Sequence, residues 1–224
     1  MRKNKGEKYT YKEIMSSEIY NLITTNTQPL SENILLSIEN ELKVENPIKP
    51  QEPIPQLSIT DNIFVVRGNI LNFPGDAIVN PANSQGLGCF QIGHKCLDNQ
   101  IHYGAGPRLR LACAKILKNK LIPVAGAILT NSFMLPSTYV IHTVGPQMQN
   151  GKQNEEKPNF KLLYKTYQNC LELAKSNKIK TIAFPEISTG VFGYPKEESF
   201  KVALDAVKSF KFDGKIYMYL YNPK

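Results

Sequence analysis

From Ile63 onward, short runs of β-branched and apolar residues alternate with longer amphipathic stretches, and this constrains the fold more than any other feature of the chain. Short apolar runs without polar alternation read as strands covered on both faces, and the stretches between them read as the covering helices. Together they specify an α/β fold around a largely parallel sheet. The predicted strands are residues 63–67, 77–79, 127–130, 139–144, 181–184 and 216–221. The predicted helices are 99–117, 160–176 and 196–209; in the last, Phe200, Ala203, Leu204 and Val207 keep helical spacing behind Pro195.

The N-terminal quarter reads differently. A helix is expected from Ser31, with Ser31 as cap, Glu32 in the first turn and Ile34, Ile38 and Leu42 along one face. Residues 46–56 contain Pro47, Pro50, Pro53 and Pro55, which suit an extended connector rather than a helix or a sheet ladder. The chain therefore divides into a helical extension with connector, residues 1–57, and a main domain, 58–224, with no internal repeat. At 224 residues it has room for one well-buried core and an extension.

A net charge of +8 suits an anionic ligand, an acidic protein or nucleic acid. Much of it sits in Lys-rich stretches at 1–12 and 171–180, without the interleaved aromatic residues that stack bases, so nucleic-acid binding is not expected. No apolar run approaches the ~20 residues of a membrane span, and the Lys-rich start leads into polar sequence. No membrane association and a cytoplasmic location are expected. In a reducing compartment Cys89, Cys96, Cys113 and Cys170 read as metal ligands or core residues rather than disulfides.

In parallel sheets ligands bind beyond the carboxyl ends of the strands, which directs attention to two loops. The loop after residue 184 runs Ile187-Ser188-Thr189-Gly190-Val191-Phe192-Gly193-Tyr194-Pro195 into a helix. Small residues there let consecutive amides approach a diphosphate, although a tight turn alone would also need glycines. The loop after residue 79 is more specific, with Cys89, His94 and Cys96 in the pattern Cys-x4-His-x-Cys. Two thiolates and one imidazole would hold Zn²⁺ and leave a coordination position open, as catalytic sites do. A structural site completed by Cys113, Cys170, His102 or His142, or thiols without metal, remain alternatives. Asn80, Asn83, Asp98 and Asn99 flank the cluster and suit sugar hydroxyls; Asp98 and Asn99 also suit a helix cap.

Val79-Asn80-Pro81-Ala82-Asn83, Tyr139-Val140-Ile141-His142-Thr143-Val144-Gly145-Pro146 and Ile187-Ser188-Thr189-Gly190-Val191-Phe192 together resemble the macrodomain family, ADP-ribose-binding modules, over about Asp61 to the C-terminus. Gly88-Cys89-Phe90-Gln91, His94, Cys96, Asp98-Asn99 and Ile101-His102 resemble its zinc-dependent microbial subgroup, protein-ADP-ribose hydrolases associated with a sirtuin-like ADP-ribosyltransferase and carrying a helical N-terminal extension. The resemblance implies a three-layer α/β/α fold with a mostly parallel mixed sheet, and Zn²⁺ on Cys89, His94 and Cys96. It implies ADP-ribosylated protein as substrate and ADP-ribose as ligand or product. Asn83 and Asp98 would be catalytic, Asn83 holding the distal ribose and Asp98 beside the scissile bond. Asn69, Ile70, Asn80, Asn83, Ser188, Thr189, Gly190, Val191 and Phe192 would bind ADP-ribose. An ADP-ribose-binding reader with a structural zinc is the alternative.

Two departures stand out. Where most members carry Asp after the Gly ending the first strand, this chain has Gly68-Asn69-Ile70, so the adenine amino group would meet an amide oxygen instead of a carboxylate. The chain also ends soon after its last strand, and the N-terminal segment is expected to cover part of one sheet face.

Overall fold

The computed structural model describes residues 11–26, 30–45, 47–148 and 158–220. The basic start up to Thr10, Pro29, Asn46 and Tyr221 lie outside them. Seven strands form one mixed sheet: β1 (Pro55–Thr60), β2 (Ile63–Arg67), β3 (Ala77–Pro81), β4 (Ala127–Asn131), β5 (Tyr139–Thr143), β6 (Thr181–Phe184) and β7 (Lys215–Leu220), in the order β1-β2-β7-β6-β3-β5-β4. The five central strands are parallel, and β1 and β4 close the two edges antiparallel.

Helices α3 (Leu97–Ala105) and α4 (Pro107–Leu117) cover one face, and α5 (Phe160–Ser176) and α6 (Lys196–Ser209) cover the other. Strand alternation divides the core between them: Ala77, Val79 and Ile141 pack under α5 and α6, whereas Ile78 and Val140 pack under α3 and α4. Each of these fully buried valines and isoleucines contributes about 1.5–3 kcal/mol. Asn159 starts α5 by accepting the Leu162 amide at 3.1 Å, and Leu163, Tyr167, Cys170, Leu171 and Ala174 then form its buried stripe. This is the three-layer arrangement expected.

The differences from the sequence reading have local causes. The expected single helix over 99–117 is two helices, because Gly106 at φ 80°, ψ 178° followed by Pro107 cannot continue an α-helix. The end of the connector is not irregular: Pro55 opens β1, which tolerates it because the strand lies at the sheet edge. The N-terminal segment holds two helices, α1 (Tyr11–Thr25) and α2 (Glu32–Glu45), and the buried face of α2 is Leu35, Ile38 and Leu42, with Ile34 exposed. These helices lie outside α3 and α4 rather than on the sheet: Ile23, Ile38 and Leu42 pack with Tyr103 and Met134. Arg108 of α4 pairs with Glu32 and Glu39 of α2.

Candidate functional site

The carboxyl ends of β2, β3, β5 and β6 all open on one edge of the sheet, so the turn after Arg67, the loop after Pro81, the segment after Thr143 and the loop after Phe184 converge there. The β3 and β6 loops emerge side by side. Asn69 stands two strand spacings from the β6 loop, roughly 10 Å.

The β3 loop is shaped by Asn83. Its side chain accepts the Gly86 amide at 3.1 Å and donates to the Gly88 carbonyl at 3.0 Å, closing the turn that delivers Cys89. Cys89 Sγ, His94 Nδ1 and the Cys96 thiol lie within 4.8 Å of one another, with the first two 3.3 Å apart. Tetrahedral zinc, with bonds of ~2.0–2.3 Å, spaces its ligand atoms by roughly 3.5 Å, so the three groups fit the ion. Cys96 also caps α3, its Sγ accepting the Asn99 amide at 3.4 Å. Burial pushes the Cys96 thiol up to about 12, against the lowering effect of that amide. A divalent cation is what would hold it as thiolate.

Behind the cluster three of the four flanking polar residues turn inward. Asn80, expected at the ligand, is fully buried because its amide donates to Asp98 Oδ1 at 2.7 Å and faces His142 Nδ1 at 3.1 Å. Asp98 is only 5% exposed; burial raises its pKa to about 6, opposed by the Asn80 amide and the charge of Arg110. It sits in the first turn of α3, and Cys96, not Asp98 or Asn99, is the cap. Asn99, also buried, donates to the His94 carbonyl at 3.0 Å and to the Tyr20 hydroxyl at 2.6 Å. Of the four, Asn83 alone is half-exposed.

His102, Cys113 and His142 gather beneath this layer. With Asn80 donating to its Nδ1, His142 carries its proton on Nε2, which lies 2.9 Å from Thr130 Oγ1 and 3.6 Å from Cys113 Sγ. Burial lowers the pKa of His142 to about 3 and keeps His102 far below the usual histidine value; in His102 the neighbouring His142 and Arg110 add to it. Cys113 is pushed up to about 12, first by burial. This trio is not the completion of the Cys89 cluster but a separate neutral layer under it. A cavity of about 60 Å³ lies behind the β3 loop, lined among others by Leu22, Ile38, Phe90, His102 and Arg110.

The β6 loop presents its tip to solvent. Ser188, at φ 67°, is buried, whereas Gly190, Val191 and Gly193 are exposed and Phe192 is half-exposed. The Gly193 and Tyr194 amides close the turn on the Gly190 and Ser188 carbonyls at 3.0 Å each, and Thr189 Oγ1 donates to the Glu186 carbonyl. Phe192 is tied to the β5 end through the Met148 amide, 2.9 Å from its carbonyl. At the far strand, Asn69 Oδ1 accepts the Leu71 amide at 3.1 Å as the cap of a 3-10 turn, so one of its lone pairs is spent, and Ile70 is buried. The sequence reading missed Tyr20 and Arg110, which touch this site from outside the loops. Arg110, flanked by Leu109 and Leu111 in an otherwise apolar stripe, was the one visible signal.

A family model described as "Macro domain" matches residues 79–203. A Staphylococcus aureus protein named "Protein-ADP-ribose hydrolase" is 45% identical over 152 residues, 67% of this chain and 56% of its own length. A Methanosarcina mazei "Macro domain-containing protein" is 40% identical over 166 residues, covering 72% of this chain and 82% of the relative. The structure of an Oceanobacillus iheyensis macrodomain with ADP superimposes with a TM-score of 0.65 at 35% identity, covering 76% of this chain and 89% of that one. This chain spans little more than half the length of the S. aureus hydrolase it matches.

Proposed function

This chain belongs to the Macro domain family, and on that premise we propose that it is a zinc-dependent protein-ADP-ribose hydrolase that removes mono-ADP-ribose from modified protein side chains. Relatives bearing the name protein-ADP-ribose hydrolase, at 42–45% identity, support the reaction class. The observation that carries the reading is the convergence of Cys89, His94 and Cys96 at the start of α3, where Asp98 follows Cys96 by two residues, in the loop beside the β6 turn.

A zinc ion on two thiolates and an imidazole would supply Lewis acidity at an open position, towards a ribose oxygen or a water. The rest of the chemistry belongs to the chain. The exposed β6 turn offers the amides of Gly190, Val191 and Phe192 to the diphosphate, with Ser188 and Thr189 shaping the turn beneath. Asn83, its side chain committed to the 83–88 turn, keeps one lone pair and one hydrogen for the distal ribose. Asn80 fixes Oδ1 of Asp98 and leaves the second oxygen to orient a water and take its proton, a task suited to a carboxyl raised to about 6. Water then displaces the side chain at the anomeric carbon, the bond to that side chain breaks as the bond to water forms, and the proton held by Asp98 passes to the departing side-chain atom, giving ADP-ribose and the unmodified side chain. The sirtuin-like transferase that would attach the modification and a cytoplasmic location belong to the same proposal.

The deep burial of Asp98 favours one second reading, an ADP-ribose-binding reader with a structural zinc. Incubation with a mono-ADP-ribosylated protein, with and without a chelator, separates the two. The proposal expects release of ADP-ribose that the chelator abolishes; release indifferent to the chelator would remove zinc from the reaction, and no release would leave the reader.

A further inference from the structure

Two polar bridges run from α1 to the loop that carries Cys89, His94 and Cys96. In the first, both hydrogens of the Asn99 amide are used, one on the Tyr20 hydroxyl at 2.6 Å and the other on the His94 carbonyl at 3.0 Å, while the Asn99 backbone amide donates to Cys96 Sγ. The Tyr20 ring is seated independently, edge-on against Tyr103 with centroids 5.1 Å apart. In the second, Arg110 donates through Nη1 to the carbonyl of Asn26, just past the end of α1, at 2.8 Å, and through Nε to the Leu87 carbonyl at 2.7 Å. Its guanidinium also lies 4.5 Å from the centre of the Phe90 ring.

The loop is therefore held two residues before Cys89, one residue after it, at His94 itself and at Cys96, and each bridge also ends on α1 or on the residue that follows it. Ordinary fastening of a helix would require no such convergence. A contact that only fastens the extension lies elsewhere, in the pairing of Arg108 with Glu32 and Glu39 of α2, which among the described residues has no bond to the loop. Groups that orient metal ligands from behind commonly change metal affinity by 10–100-fold when removed.

We infer that α1 is part of the metal-holding apparatus: Tyr20 through Asn99, and the Asn26 carbonyl through Arg110, are positioning groups that keep the Cys89–His94–Cys96 loop closed on its ion. The inference rests on the zinc reading above. Docking of the N-terminal helix then sets how long zinc is retained.

The test compares full-length wild type, Tyr20→Phe, Arg110→Lys and Arg108→Gln. Tyr20→Phe keeps the ring on Tyr103 and removes only the hydroxyl; Arg110→Lys keeps the charge and loses the fork. Zinc transfer to a chromogenic chelator is followed at a temperature where melting curves show all four folded, and amide exchange of residues 88–96 is measured after the metal is stripped. Tyr20→Phe should release zinc several-fold faster and Arg110→Lys about tenfold faster, with faster exchange at residues 94–96 and 88–90 respectively. Arg108→Gln should match wild type in both. Release and exchange at wild-type rates in both folded bridge variants would overturn the inference while leaving the zinc reading intact. An Arg108→Gln variant that releases zinc as fast as they do would overturn it too, reducing the effect to general loosening. Wild-type protein that retains no zinc would overturn the metal reading itself and this inference with it.

Discussion

Asn69 carries a duty that the sequence did not reveal, because its side-chain oxygen caps the Ile70–Asn72 turn by accepting the Leu71 amide. Asp caps as well as Asn. Asn69→Asp should therefore leave stability within about 0.5 kcal/mol, and the carboxylate's remaining lone pairs should tighten ADP-ribose binding about fivefold in a calorimetric titration. Unchanged affinity would mean that this side chain does not read the base. Two glycines nearby make opposite predictions. A Cβ at Gly190 meets nothing within 4 Å, so Gly190→Glu should fold normally and fail to bind ADP-ribose, since it adds bulk and charge at the exposed turn. A Cβ at Gly145 would overlap Ser188 Oγ and Ile187 Cγ2, so Gly145→Ala should cost about 1–3 kcal/mol in urea unfolding. The buried histidine offers a pH test. Burial holds His142 at about 3 in the fold, against about 6.5 unfolded, with Asn80, Thr130, Cys113 and the tilted His102 ring facing it. Below pH 6.5 the unfolded chain takes up this proton and the folded chain does not, so stability falls as pH drops from 6.5 towards 3, by up to about 1.4 kcal/mol per pH unit. Metal-free His142→Gln should lose that slope relative to wild type between pH 6.5 and 4; parallel curves would show that His142 is not held neutral.

At the scale of elements, strands and helices with a continuous apolar signature were legible, and residues 63–67, 160–176, 181–184 and 196–209 match the structure end to end. What hid from the sequence is governed by context rather than pattern. β1 is largely exposed, and although Gln56 to Thr60 alternates polar and apolar residues, the run of prolines before it masks that pattern; pairing with β2 is what makes it a strand. The break between α3 and α4 was written in Gly106-Pro107, but the surrounding helical periodicity masked it. Gly106 lies at φ 80°, ψ 178°, a region nearly closed to other residues, and a Cβ there would stand 2.9 Å from Met134 Sδ. Gly106→Ala should cost about 1–3 kcal/mol in urea unfolding, and a variant as stable as wild type would show that the corner yields easily. The site was legible to the same degree. The Cys-x4-His-x-Cys spacing picked out three residues that do converge, since they lie in one loop. The inward turn of Asn80, Asp98 and Asn99 depends on partners 18 to 79 residues away, which no local spacing records.

For the molecule as a whole, among the described residues neither of the two cores flanking the sheet contains one before Ile48. A chain beginning at Ile48 should consequently unfold in one cooperative urea transition with the secondary structure of the sheet domain intact. A molten product would show that α1 and α2 are integral to the core and that the division near residue 57 is misplaced. Such a chain should still include β1, for a reason unrelated to chemistry. The five parallel strands end at β2, whose Ile-Phe-Val-Val run would make a flat, sticky margin if left bare. β1 covers that margin with a strand that starts on a proline lacking an N–H, shifts register twice along its length and sets Gln56, Ser58 and Thr60 among its exposed residues. Another copy arriving edge-on would find an interrupted ladder to extend, so what this strand governs is colloidal: whether the protein stays dispersed when it is concentrated or newly made.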